Sequence, residues 1–142
     1  MREKIKEQIL ASASMKEAMV DGCVDDIISA ASLMIKCIQN DGKILWCGNG
    51  GSAGDAQHLA TELMGGMTSH ERKPIPSIAL TTDSSLLTAW TNDTDFESVF
   101  SRQVQGLGKE GDVLVGISTS GNSANVIAAV KQAKFKLSLI HI

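Results

Sequence analysis

The chain has 142 residues, of which 43% are hydrophobic, and a formal net charge of −3. That length suits one domain with a core of its own, and the apolar content excludes a disordered chain. Mild acidity excludes a nucleic-acid surface held by general electrostatics, an aromatic content of 4% leaves no stacking platform for single strands, and no apolar run nears the roughly 18 residues of a membrane span.

Residues 2–20 are predicted to form a helix, with Ile5, Ile9, Ala13 and Met19 on one face and a break at Asp21-Gly22. The opening residues are charged and amphipathic, without the apolar region of a secretory leader, so a cytoplasmic protein is expected. A second helix spans residues 24–38, where Ile27, Ile28, Ala31, Met34, Ile35 and Ile38 make a broad apolar stripe. Asn40-Asp41-Gly42 stops it. This N-terminal helical hairpin (residues 1–41) is apolar enough to need partners: the sheet on one side and a second subunit on the other. Cys23, Cys37 and Cys47 have no metal-type spacing and are expected to be buried free thiols.

The α/β core is expected over residues 42–142, within a single domain. Ile44-Leu45-Trp46-Cys47 has the length and character of a buried strand. Gly48-Asn49-Gly50-Gly51 cannot continue it, and Ser52, a good N-cap type, opens a helix with Ala56, Leu59, Ala60 and Leu63 on one face. Strand, glycine loop and helix N-terminus together can form an anion site, because free N–H groups and the positive dipole end converge there. No Lys follows in P-loop order, and the glycine spacing is not that of a dinucleotide fingerprint. The residues alone leave open whether this is a phosphate cradle or an ordinary strand-to-helix turn.

Gly65-Gly66 ends that helix, and Thr68 to Pro74 is a polar connection. A short strand at Ser77 to Leu80 leads to Thr81-Thr82-Asp83, which offers N-cap types ahead of Leu86, Leu87 and Trp90. Asn92-Asp93-Thr94-Asp95 reads as a loop, and residues 96–107 as a helix with Arg102 on its surface or at a subunit contact. The earlier pattern then recurs. A strand at Val113 to Ile117 meets a polar loop, Ser118-Thr119-Ser120-Gly121-Asn122, and Ser123-Ala124 opens a helix with Val126, Ile127 and Val130. Hydroxyls and backbone N–H groups can hold a phosphate without a cation. Strands alternating with helices argue for a doubly wound, mainly parallel α/β sheet, which would put both loops on one edge.

The two loops, Gly48 to Ala53 and Gly116 to Val126, resemble the sugar isomerase (SIS) domain and, more narrowly, the bacterial phosphoheptose isomerases. Further matches are His58 to Glu62, Ala79 to Asp83, Asn92-Asp93, and Phe100 to Val104 with Gly108 to Asp112; the similarity runs to about Lys134. The resemblance implies an SIS-type fold and conversion of sedoheptulose 7-phosphate to D-glycero-D-manno-heptose 7-phosphate, for activated-heptose and surface-polysaccharide synthesis. It also implies a cytoplasmic homotetramer that binds neither nucleic acid nor membrane, with one zinc per subunit.

His58 and Glu62 stand four apart on one helix face, a spacing that by itself also describes a surface ion pair. In the resembled family the matching His is a zinc ligand, and the matching Glu is ligand and acid/base. Moving a proton between adjacent carbons through an enediol needs such a carboxylate, with a cation or donor at the oxygens. By the same resemblance Asn49, Gly50, Gly51, Ser52, Ser118, Thr119, Ser120 and Ser123 would hold phosphate, and Asn92 and Asp93 the sugar hydroxyls, with Glu62 at the reacting carbons.

The family continues beyond residue 142 with a strand, a glycine-rich loop and a helix that carries a Gln and a His of the metal site. Here Lys134 to Ile142 reads as an alternating strand, and His141 lacks the family's Gln-Glu-x-His context. A truncated or frame-shifted isomerase is therefore expected, with an incomplete zinc site and a last strand lacking its covering helix. Other readings are an inactive chain that still binds sugar phosphate, an SIS protein binding the replication initiator, and a sugar-phosphate sensor. Against the initiator-binding proteins stand Glu62 and Ser120; a sensor would need a DNA-binding segment in front.

Overall fold

The computed structural model describes residues 1–136 and 139–141, the last three by their backbone alone. It divides into two compact units, Met1–Ser32 and Leu33–Ile142.

The first unit holds α1 (Arg2–Gly22) and the opening turns of α2 (Val24–Gln39). The expected break at Asp21-Gly22 falls at Cys23 instead, because Gly22 stays helical. The Cys23 N–H donates to the Met19 carbonyl at 2.9 Å while its own carbonyl accepts from Ile27 at 3.0 Å, so one residue joins the two helices. No residue of α1 is buried, and Ile5, Ile9, Leu10 and Met15 are all exposed. Cys23 is half-buried, unlike the buried Cys37 and Cys47.

In the second unit β1 (Ile44–Gly48), β2 (Ser77–Ala79), β3 (Val113–Ile117) and β4 (Leu139–His141) form a sheet of order β2-β1-β3-β4, and every pairing is parallel. The helices are the end of α2, α3 (Gly51–Gly65), α4 (Ser84–Asp93), α5 (Val99–Leu107) and α6 (Ala124–Lys136). Successive β1 side chains point to opposite faces. Leu45 and Cys47 join a core with Phe100, Val104, Val126 and Ala129, supplied by α5 and α6. Ile44 and Trp46 join a second core with Ala56 and Ala60 of α3, against which Met34 and Ile38 pack. Helices therefore cover both faces, as doubly wound folds require.

Polar groups inside this frame are paired. The Trp46 indole donates to Ser77 Oγ at 2.8 Å, and the Gln103 amide donates to the Leu80 carbonyl at 2.9 Å. Asp112, 2% exposed, accepts from the backbone N–H groups of Lys43 (2.9 Å) and Lys109 (2.7 Å) and pairs with Lys43 Nζ at 2.5 Å. One carboxylate thus joins the turns that lead into β1 and β3.

Three local expectations are corrected. Asn92 and Asp93 lie in the last turn of α4 rather than in a loop, with the Thr94 N–H closing on the Trp90 carbonyl at 2.9 Å. The next helix starts at Val99, not Phe96, because Asp95 Oδ1 accepts from the Ser98 N–H at 2.6 Å and takes residues 95–98 into a turn. Residues 134–136 continue α6 instead of beginning a strand. The remainder of that expected strand includes Leu137, Ser138 and Ile142, which lie outside the described residues, as do the side chains that decide whether its apolar face is covered.

Candidate active site

The order β2-β1-β3-β4 makes β1 and β3 neighbours whose following helices, α3 and α6, pack on opposite faces of the sheet. Such a switch point opens a crevice at the carboxyl ends of the strands. Gly48 and Ile117 are partners in the β1–β3 register, so the two loops leave the sheet side by side.

In the first loop Gly50 is the N-cap of α3, with φ 57° and ψ −119°. Only glycine adopts that conformation without strain, so the loop turns at Gly50 and the cap falls two residues before Ser52. Ser52 lies inside the first turn, where its N–H donates to the Asn49 carbonyl at 3.0 Å; it is not the cap. The positive end of the 15-residue α3 faces this loop. Gly48 matters for another reason. A Cβ there would stand 2.8 Å from Ser52 Cβ and 2.9 Å from the Ile117 carbonyl oxygen. Absence of a side chain lets β1, β3 and α3 meet at one point.

In the second loop the Ser118 hydroxyl lies 3.0 Å from Ser123 Oγ and 3.4 Å from Ser120 Oγ. The Asn122 N–H donates to Ser120 Oγ at 3.1 Å. Thr119 and Ser120 are exposed at the loop surface, while Ser118 and Ser123 are half-buried. Three convergent hydroxyls offer donors that can turn from each other to a phosphate oxygen. The cluster is neutral, so an anion would be held by dipoles and hydrogen bonds.

The two loops are tied by a pair the sequence analysis did not single out. Asn49 Nδ2 donates to Asn125 Oδ1, and Asn125 Nδ2 donates back to Asn49 Oδ1, each at 2.8 Å. Asn125 is 3% exposed on the first turn of α6. A polar residue between Ala124 and Val126 in a buried stretch was the available signal, since buried amides must find partners.

His58 and Glu62 lie further along α3, with His58 Nε2 3.6 Å from Glu62 Oε1. The His58 side chain is 71% exposed and that of Glu62 30%. Ten residues of helix separate Ser52 from Glu62, about 15 Å along the axis. Gln57, Ala60, Thr61, Met64, Ser77 and Thr82 line a cleft of about 400 Å³ between α3 and β2, to which neither His58 nor Glu62 contributes. Gln57 crosses to Thr81, its amide 3.3 Å from both the carbonyl and the hydroxyl. The Arg72 guanidinium donates to the Glu62 carbonyl at 2.6 Å and steadies that end of the helix. Asn92 donates to Asp93 Oδ1 at 2.8 Å on the exposed end of α4.

Two ligands of a tetrahedral zinc stand about 3.4 Å apart, so the His58–Glu62 spacing fits half of such a set. Among the described residues no third His, Cys, Asp or Glu joins them. These residues alone therefore do not complete a zinc site. Cys47 offers no thiolate, because burial pushes its thiol up to about 12. Cys37 is raised as well, by burial first and then by the Asp112 charge.

Comparison with known proteins agrees with this geometry. The SIS domain family matches residues 9–137. The phosphoheptose isomerase of Neisseria gonorrhoeae is 54% identical over 133 residues, covering 94% of this chain and 67% of that protein. That of Aquifex aeolicus is 49% identical over 94% of this chain and 69% of its own length. A solved structure of phosphoheptose isomerase GmhA from Neisseria gonorrhoeae superposes with a TM-score of 0.87 at 51% identity, over 95% of this chain and 70% of that one. One from Francisella tularensis gives a TM-score of 0.92 at 37% identity, over 97% and 72%. The chain spans about two thirds of the length of the curated relatives it matches, 67% in the case of the Neisseria gonorrhoeae protein. Two glycine and hydroxyl loops joined at a parallel switch point, with a His–Glu pair on the first helix, are thus accompanied by a family match over most of the chain, and it belongs to the SIS domain family, among the phosphoheptose isomerases.

Proposed function

We propose that the chain is a phosphoheptose isomerase, which interconverts sedoheptulose 7-phosphate and D-glycero-D-manno-heptose 7-phosphate. The observation that carries the reading is the junction of the Asn49–Ser52 and Ser118–Ser123 loops at the β1–β3 switch point in a chain 54% identical to a phosphoheptose isomerase. Phosphate binds between Asn49, Gly50, Gly51 and Ser52 on one side and Ser118, Thr119, Ser120 and Ser123 on the other. Glu62 works at the opposite end of the substrate. Phosphate and carbonyl stand at the two ends of an open seven-carbon chain, which suits groups set far apart along α3.

The Glu62 carboxylate takes a proton from the hydroxyl-bearing carbon beside the carbonyl; the electron pair left behind forms the C=C bond and the carbonyl pair moves onto its oxygen, giving the enediolate. The hydroxyl proton passes from the first oxygen to the former carbonyl oxygen, and the same carboxyl returns its proton to the former carbonyl carbon, which completes the exchange of ketose for aldose. Asn92 and Asp93 hold hydroxyls of the open chain. Zinc is part of this reading: His58 and Glu62 would be two of its ligands, and when bound it would supply positive charge that stabilises the enediolate.

Self-association as a homotetramer also belongs to the proposal, supported by the apolar side chains that α1 and α2 leave exposed. A cytoplasmic setting fits the free cysteines, and no helix among the described residues is long and apolar enough to cross a membrane. The test is turnover of sedoheptulose 7-phosphate by the 142-residue chain with added zinc, beside Glu62→Gln. Turnover lost by a factor of roughly 10² or more in the variant is expected. No turnover by the unsubstituted chain, or equal turnover by Glu62→Gln, refutes the assignment.

A further inference from the structure

We propose that Asn125 is a positioning residue of the phosphate cradle, acting through Asn49 to hold the first glycine loop in place against the second loop. The inference rests on the reading of these loops as a phosphate site. Its physical basis is the pair of reciprocal 2.8 Å hydrogen bonds between residues 76 apart in sequence.

The pair has a fixed sense. Exchanging O and N on both carboxamides would leave their mutual bonds intact, so the pair alone cannot choose between the two arrangements. The Val126 N–H chooses. It can only donate, and it lies 3.0 Å from Asn125 Oδ1. That oxygen therefore faces Asn49 Nδ2, and Asn125 Nδ2 faces Asn49 Oδ1. One N–H of each carboxamide remains for other partners.

Position gives the pair its leverage. Asn125 is buried on α6, whose neighbouring residues Val126 and Ala129 are locked in the core. Asn49 is half-buried, and the glycines after it, Gly50 and Gly51, are exposed, with nothing within 4 Å of a Cβ placed on either. A loop of that composition samples many conformations unless something holds it, and a ligand must otherwise supply the ordering. The Asn125 amide fixes the loop in advance from a rigid helix. It also sets the spacing between the two halves of the cradle without touching phosphate itself.

The test is a double-mutant cycle of Asn49→Ala and Asn125→Ala, read as affinity for inorganic phosphate and for sedoheptulose 7-phosphate by titration calorimetry. Circular dichroism establishes that each variant is folded at the temperature used. Asn125→Ala is expected to weaken both ligands about tenfold, the scale of one or two lost hydrogen bonds. In the Asn49→Ala background the same substitution is expected to change affinity by less than about twofold, because the intermediary is gone. Additive losses, or unchanged affinity in Asn125→Ala, overturn the proposal. If Asn125→Ala fails to fold, Asn125→Asp keeps the size but sets a carboxylate against Asn49 Oδ1; phosphate affinity equal to the parent's then overturns it. A parent chain that binds neither ligand overturns the phosphate reading together with this one. Binding by the parent with an additive cycle overturns the positioning role alone.

Discussion

Gly48→Ala should destabilise the molecule by forcing a methyl group into the point where β1, β3 and α3 meet. The new Cβ would lie 2.8 Å from both Cβ and the carbonyl oxygen of Ser52 and 2.9 Å from the Ile117 carbonyl oxygen. Ordinary contact begins near 3.4 Å, so α3 and β3 must each give way by roughly 0.5 Å. Two of those three atoms are backbone, and both belong to elements held in the sheet and helix, so no side-chain rotation relieves them. Forcing extra volume into such a site costs about 1–3 kcal/mol. With an unfolding entropy of about 2.1 cal/mol/K per residue, that corresponds to a fall in Tm of roughly 3–10 °C. Gly54→Ala is the matched control: it lies within α3, nothing stands within 4 Å of its added Cβ, and a gain of about 0.5–1 kcal/mol is expected. Urea denaturation of both variants decides the matter. Stability of Gly48→Ala within 0.5 kcal/mol of the parent, or a shift of the same sign as in Gly54→Ala, would refute the close-approach argument.

Other consequences can be measured independently. Asp112→Ala leaves Lys43 Nζ and the N–H groups of Lys43 and Lys109 without their shared acceptor, and a loss of about 3–5 kcal/mol is expected in urea denaturation; a loss under 1 kcal/mol contradicts it. A thiol reagent at pH 8 should modify half-buried Cys23 before Cys47, whose thiol is fully buried and held near 12; mass mapping of partly labelled protein reads this directly. The raised Cys47 value also fixes a sign. The folded chain keeps that proton more tightly than the unfolded one, so its contribution is complete below pH 9.0 and declines by about 1.4 kcal/mol per unit as pH rises towards 12. Cys47→Ala should flatten that alkaline decline in denaturation midpoints, and an unchanged slope would remove Cys47 as its source.

The repeated strand–loop–helix pattern was legible because each apolar run meets a cluster no strand can continue. Local chemistry misled at the boundaries. Ser52 has the side chain of a cap, but the left-handed turn at Gly50 starts the helix before it. Asn92 and Asp93 are loop-forming types, yet the helix through Trp90 carries them in its last turn. Phe96 has helical spacing but is 52% exposed, because the Asp95–Ser98 turn intervenes. Asn125 was missed for a different reason: a buried polar type marks it as needing a partner, but that partner lies in another loop and no periodicity relates the two. The His58–Glu62 pair was readable from spacing, whereas a role for it was readable only from the family resemblance.

The separation of Asn49 and Asn125 by 76 positions also bears on how the chain acquires its binding ability. Contacts this distant in sequence require a long loop to close, and such closures come late and slowly compared with helix formation. A nascent or partly folded chain with β1 and α3 already in place holds only half of the cradle. On the proposed function, a sugar phosphate that needs both halves would recognise just the species in which β1 and β3 have paired. At a free concentration one hundred times its dissociation constant it would add about 2.7 kcal/mol to the native state. Under the proposed function, the substrate would then also stabilise the folded chain.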